Sequence, residues 1–122
     1  MHHLASWARF MFCSLLLLVA VQTAAAADLS GNWRFVFSSF EGDFPRTISL
    51  EVDGEKVTGK HDEEVYKGTF KDGQLEISGK HYASEAGYSS TLSISGEFEG
   101  KELKGKGSWD TYSLTFVAKR VE

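Results

Sequence analysis

Four polar or aromatic residues could form a small-ligand site: Tyr66, His81, Tyr82 and Tyr88. Aromatic faces with a few hydrogen-bonding groups are what small-molecule pockets use to hold and orient a ligand. Residues 83–87, between the last two tyrosines, would then cover the site as a lid. The alternative is that these residues only close one end of the fold, with their rings partly buried and their hydroxyl groups reaching water.

The densest cluster of potential metal ligands is His61-Asp62-Glu63-Glu64. Calcium binds several carboxylate oxygens, and zinc could take the imidazole together with an acid. Adjacent residues of one turn seldom converge on a single point, however. We therefore interpret the segment as a solvated acidic turn and predict no metal site and no other cofactor.

Two further aromatic segments could contact a partner. Residues 40–45, Phe-Glu-Gly-Asp-Phe-Pro, form the longest early loop, and the two phenylalanines would make a contact surface if they are exposed. Trp109, in the last turn, is expected to plug one end of the fold, although an exposed indole there could anchor a partner. Arg34 and Arg46 are interpreted as surface residues.

Catalytic motifs are missing from the sequence. No nucleophile is flanked by a plausible base, and there is no G-x-S-x-G, no H-E-x-x-H and no phosphate-binding glycine loop before a helix. We therefore predict no catalytic residues and a function other than that of an enzyme.

Residues 1–27 have the three-part pattern of an export signal, with a weakly basic start, an apolar stretch and small residues that end at Ala27. The apolar stretch of about 12 residues is shorter than the roughly 20 that a membrane-spanning helix needs. We therefore predict cleavage after Ala27 and a secreted or periplasmic protein. An uncleaved N-terminal anchor is the alternative.

Removal of this segment would change the chemistry of the remaining domain, residues 28–122. The segment contains Cys13, the only cysteine, so the domain has neither a thiol nor a disulfide. It also contains Arg9 but no acid, so the formal net charge goes from −4 to −5. The remaining charges are interspersed, and without a basic stripe to neutralise phosphates we predict no nucleic-acid partner.

The elements that would position these residues are β-strands. From residue 28 onward, apolar residues alternate with polar ones, and Asp-Gly or Glu-Gly pairs separate three pairs of such runs. The pattern predicts eight strands, at about 32–39, 46–52, 56–60, 65–71, 74–82, 89–98, 102–108 and 112–119. Because the connections are short, we predict an all-β protein, a small eight-stranded antiparallel up-and-down barrel, with an open β-sandwich as the alternative.

Several glycines share the apolar side of their strands, among them Gly68, Gly79 and Gly96. A strand glycine usually marks a bend, a bulge or a close backbone approach, and narrow barrels need such points to close. The other interpretation is that the missing side chains hollow out an interior cavity. The two interpretations are compatible.

The first strand opens with Gly31-Asn32-Trp33, and in this Gly-x-Trp start the chain resembles the calycins, which include lipocalins, fatty-acid-binding proteins and avidins. It is most similar to the short avidin-like members, in which an apolar-Thr-Gly segment follows, here Val57-Thr58-Gly59. The polar and aromatic set that binds biotin cannot be aligned with this chain, so biotin binding is not expected.

The resemblance implies that Gly31 and Trp33 are structural residues, with the tryptophan packed at the closed end of the barrel. It also implies that a basic residue near the last strand, Lys119 or Arg120, covers the indole. Ligands of calycins enter at the opposite, open end.

Together, these patterns predict an exported, non-enzymatic barrel that binds a small apolar or amphipathic ligand at its open end. Two alternatives stay open: a protein-binding module, such as an inhibitor of an extracellular enzyme, and a structural component of the cell envelope. The expected partner is a small molecule or an extracellular or periplasmic protein. No membrane span is expected once the signal has been removed.

Overall fold

Alternating apolar and polar side chains run through all the strands of the computed structural model, which describes residues 29–121. Eight antiparallel strands pair in chain order, and the last pairs with the first. The prediction of a closed eight-stranded barrel is confirmed, and the open sandwich is wrong. The strands are β1 Gly31–Ser39, β2 Gly42–Asp53, β3 Lys56–His61, β4 Glu64–Lys71, β5 Gln74–Ala83, β6 Tyr88–Glu99, β7 Glu102–Trp109 and β8 Tyr112–Val121.

Most connections are tight turns of two residues; the one between β5 and β6, residues 84–87, has four. Asp72 and Gly73 both have positive φ, at 53° and 78°, as a two-residue hairpin turn of matching twist requires. In the longer connection, the amides of Ala86 and Gly87 both donate to the carbonyl oxygen of Ala83. Short turns of this kind force each strand to pair with its neighbour in sequence.

The prediction of an early loop at residues 40–45 is wrong. Only Phe40 and Glu41 form the turn, and β2 already begins at Gly42, where it pairs with β1. Pro45 is tolerated because residues 42–48 of β2 pair with β1 alone, so one side of the strand needs no hydrogen-bond donor.

The end of the barrel where β1 begins is filled by Trp33, which is only 1% exposed. Its indole N–H donates to the carbonyl oxygen of Leu29 over 2.8 Å. The guanidinium of Arg120 lies 4.6 Å from the ring centroid and donates to the carbonyl oxygen of Ser30. Gly31 leaves room for this cover, because a Cβ there would lie 2.5 Å from an Arg120 nitrogen.

Glycines on the inward side allow neighbouring strands to approach closely. An added Cβ at Gly68 would overlap the carbonyl oxygen of Glu76, and one at Gly105 would overlap that of Ser95. These positions therefore serve the bending and closure of the barrel.

The predicted export signal, residues 1–27, lies outside the described residues, and its cleavage stays a prediction. Within residues 29–121, no helix has the length and the apolar character that crossing a membrane requires.

Candidate functional site

A cavity of about 310 Å³ lies at the end of the barrel where β1 ends, which we call the mouth. This volume is at the lower end of the range of small-molecule pockets, roughly 300–1,000 Å³. Alternation turns one apolar side chain of each surrounding strand into the cavity. The walls include Phe37 of β1, Phe44 of β2, Leu92 of β6, Trp109 of β7 and Leu114 of β8.

One side of the mouth is built from a row of packed aromatic rings. Trp109 is buried, as the sequence predicts, and its indole N–H donates to the carbonyl oxygen of His81 over 3.0 Å. Its ring centroid lies 4.9 Å from that of Tyr88 and 6.0 Å from that of Tyr112. The next ring along is Phe40, stacked on Tyr112 at 5.9 Å and 86% exposed.

The opposite side of the cavity is polar, and Arg46 is its central residue. One of its terminal nitrogens donates to both carboxylate oxygens of Glu85, over 2.7 and 3.0 Å. The other terminal nitrogen donates to the carbonyl oxygen of Pro45, and Nε donates to Nε2 of His81 over 3.3 Å. The interpretation of Arg46 as a surface residue is wrong, because its side chain is only 16% exposed and lines the cavity. Arg34 is exposed.

Both ring nitrogens of His81 have hydrogen-bond partners. Since a guanidinium N–H can only donate, Nε2 of His81 accepts from Arg46. Nδ1 lies 2.6 Å from Oε1 of Glu64 and donates to it. His81 therefore has no ring nitrogen left free towards the cavity.

Glu64 receives hydrogen bonds from three groups. The Tyr66 hydroxyl donates to Oε1 over 2.7 Å, the His81 ring donates to the same oxygen, and the backbone amide of Tyr82 donates to Oε2 over 2.6 Å. Burial alone would raise the pKa of Glu64, but these hydrogen bonds outweigh it and hold the pKa below its usual value. Burial, together with the hydrogen bond to Glu64, raises the pKa of Tyr66.

These side chains lie where the ladders of backbone hydrogen bonds stop. Pairing between β2 and β3 begins only at Ser49, and pairing between β4 and β5 reaches only Ser78. Towards the mouth, the facing sides of β2 and β5 have no strand between them. Side chains take over this gap, which we call the polar seam: Arg46, Glu64, Tyr66, His81 and Glu85.

The structure brings two of the four sequence-predicted site residues into the cavity wall, His81 and Tyr88. Tyr66 is buried in the polar seam behind His81. Tyr82 is 52% exposed, and only its backbone takes part in the seam. The Tyr88 hydroxyl donates to Asp110 over 2.5 Å, and this hydrogen bond raises the pKa of Tyr88 to about 12.

The solvated-turn interpretation of residues 61–64 is correct for Asp62 and Glu63, which are exposed, and wrong for Glu64. The alternation of side chains along the strands could have identified Glu64 and Arg46 as inward-facing. Glu64 lies two positions before the inward Tyr66, and Arg46 lies two positions before the inward Ile48. Within the part of the chain that the structure describes, no three His, Cys, Asp or Glu residues are placed to hold a metal ion.

Comparison with known proteins adds no further information about the site. A scan against models of protein families finds no match, and a search of curated proteins finds none either. Function therefore has to be argued from the chemistry of the site itself.

Proposed function

We propose that this protein is an exported, non-enzymatic barrel of the calycin type that binds a small amphipathic molecule in the cavity at its mouth. The observation that carries the proposal is the cavity of about 310 Å³, which has apolar and aromatic walls and one polar side. The closed eight-stranded barrel is compatible with calycin membership. Export is supported by the pattern of residues 1–27.

The hydrogen bonding of the polar groups supports ligand binding in preference to catalysis. Among residues 29–121, every buried side-chain nitrogen and oxygen has a hydrogen-bond partner. His81 has both ring nitrogens occupied, so it is not a free base beside the cavity. A ligand would gain most of its affinity from the apolar walls, while the preformed polar side would orient it.

The protein-binding alternative has weaker support. Residues 42–45 belong to β2, so the predicted contact loop reduces to one strongly exposed aromatic side chain, Phe40. A single exposed apolar residue is common on protein surfaces and does not make a patch.

Filling the cavity tests the proposal. Leu114→Trp places an indole in the cavity, whereas Thr115→Trp, at the next residue, places the same group on the exposed outer face. The neutral fluorescent probe N-phenyl-1-naphthylamine is titrated into each protein. We expect saturable one-to-one binding to the unmodified protein and to Thr115→Trp, and at least a tenfold weaker affinity for Leu114→Trp, about 1.4 kcal/mol.

Circular dichroism and thermal unfolding of both variants show whether the barrel is intact. Equal probe affinities for two folded variants would contradict the proposal, as would the lack of saturable binding to the unmodified protein. Native mass spectrometry of secreted material gives an independent measurement, because a retained ligand adds a defined mass.

A further inference from the structure

The charged side chains that line the cavity differ in whether they have a partner. The one guanidinium, on Arg46, is occupied by Glu85, by His81 and by the carbonyl oxygen of Pro45. Glu41, an exposed residue of the turn between β1 and β2, also lines the cavity, and within residues 29–121 its carboxylate makes no hydrogen bond or ion pair with a side chain. Since Arg46 is paired with Glu85, the charge of the lining that is left without a partner is the carboxylate of Glu41.

The free carboxylate lies beside the aromatic side of the mouth. The rings of Tyr88, Trp109 and Tyr112 form a row at the mouth, in which Tyr88 is tilted against the indole and Tyr112 is stacked on it. Asp110 accepts a hydrogen bond from the Tyr88 hydroxyl, and Glu41 lines the same cavity as Tyr88. The faces of aromatic rings are negative and attract cations, most strongly where water is partly excluded.

We propose that the head group of the ligand is an ammonium, held at the mouth by the Glu41 carboxylate and by the half-exposed ring of Tyr88. The apolar body of the ligand lies against Phe37 and Leu114, deeper in the cavity. This inference rests on the proposed function and specifies its ligand class as a cationic amphiphile.

An anionic head group has a weaker case at this site. To reach Arg46 it would have to displace Glu85, both of whose oxygens accept from one Arg46 nitrogen, which only exchanges one carboxylate for another. It would also approach Glu41 and release residues 84–87 from β2. An ammonium needs no such displacement, because Glu41 is free.

Three probes with the same tail test the head group: octyltrimethylammonium, octanol and octanoate. Each is used to displace N-phenyl-1-naphthylamine at low ionic strength and neutral pH. We expect the ammonium to bind about tenfold more tightly than the alcohol, and octanoate to bind most weakly. High salt should reduce the preference for the ammonium, since the mouth is accessible to ions.

Glu41→Gln identifies the residue responsible. It should weaken binding of the ammonium by about three- to tenfold and leave octanol unchanged. The matched control is Glu76→Gln, on the exposed outer face of β5, which should change neither.

The outcomes separate this inference from the proposed function. If octanoate binds most tightly, or if Glu41→Gln weakens the ammonium and the alcohol equally, the cationic head group is refuted while the ligand-binding cavity stands. If neither the naphthylamine nor any octyl probe binds, the proposed function fails and this inference fails with it.

Discussion

Replacing Glu64 with glutamine tests whether the polar seam holds the mouth of the barrel together. The amide has the size of the carboxylate, but one of its two terminal atoms is an NH2 group, which cannot accept a hydrogen bond. In the structure both oxygens accept, one from the Tyr82 amide and the other from Tyr66 and His81. Either orientation of the amide leaves at least one donor without an acceptor: the partly buried ring N–H of His81, or the more exposed backbone amide of Tyr82.

The expected loss of stability follows from that donor. An unsatisfied buried group costs about 1–3 kcal/mol. The Glu64 side chain is 23% exposed, so water can compensate in part, and we expect a loss of about 2 kcal/mol. For a domain of this size each kcal/mol lowers Tm by about 4–8 °C, so Tm should fall by about 8–16 °C.

The assay is urea unfolding followed by tryptophan fluorescence, since Trp33 and Trp109 are both buried. The midpoint should fall at an unchanged slope. Glu63→Gln is the control, because Glu63 is the adjacent residue and is exposed. Equal midpoints for the Glu63 and Glu64 variants at pH 7 would refute the assigned role.

The pH dependence gives a second measurement on the same pair of variants. Because the folded-state pKa of Glu64 is lowered, the unfolded chain binds more protons as the pH falls below the ordinary value of 4.5. The contribution of Glu64 is therefore complete above that pH and is lost as the pH falls through the folded-state value. The difference between the unmodified protein and Glu64→Gln should narrow on acidification, whereas Glu63→Gln should follow the unmodified protein.

Two further substitutions test the closure of the barrel and the phenol in the seam. Gly68→Ala should prevent folding, because the added Cβ would overlap the Glu76 carbonyl, and the β-type circular dichroism spectrum should be lost. The control is Gly73→Ala, in an open turn with positive φ, which should lower the free energy of unfolding by only about 1–2 kcal/mol. Folding of both to similar stability would contradict the close approach. Tyr66→Phe should flatten the loss of stability above about pH 10, because the raised folded-state pKa makes the native protein keep a proton that the unfolded chain releases. Equal alkaline slopes in urea unfolding would contradict that cause.

Period-two alternation and turn residues were sufficient to predict the barrel, since both act locally. The main error in strand bounds was at β2, which begins at Gly42 and not at 46. The glycine and Pro45 resemble a break in the strand, but a strand paired on one side only tolerates a proline. That one-sidedness depends on where β3 ends, which the residues of β2 do not reveal.

The polar half of the site could not be predicted in the same way. Hydropathy places Arg46 and Glu64 on the surface, because the partners that neutralise them are remote in sequence: Glu85 lies 39 residues from Arg46, and His81 lies 17 from Glu64. Tyr82 shows the opposite error. The sequence-based prediction places Tyr82 in the site together with His81, yet adjacent strand residues face opposite sides, and the exposed ring of Tyr82 lies on the outer face.

The seam and the cavity have one structural cause. Where the ladders stop, Arg46 donates to the carbonyl oxygen of Pro45 and Glu64 accepts from the amide of Tyr82, so these side chains supply hydrogen bonds that a neighbouring strand would otherwise supply. Three side chains of the seam, Arg46, His81 and Glu85, form the polar side of the cavity, with their hydrogen-bonding capacity already used by the wall. Selection among ligands therefore falls to the groups that the wall leaves free, the Glu41 carboxylate and the aromatic faces at the mouth. The polar seam therefore makes the mouth of the barrel rigid, whereas the Glu41 carboxylate and the aromatic rings determine which ligand binds.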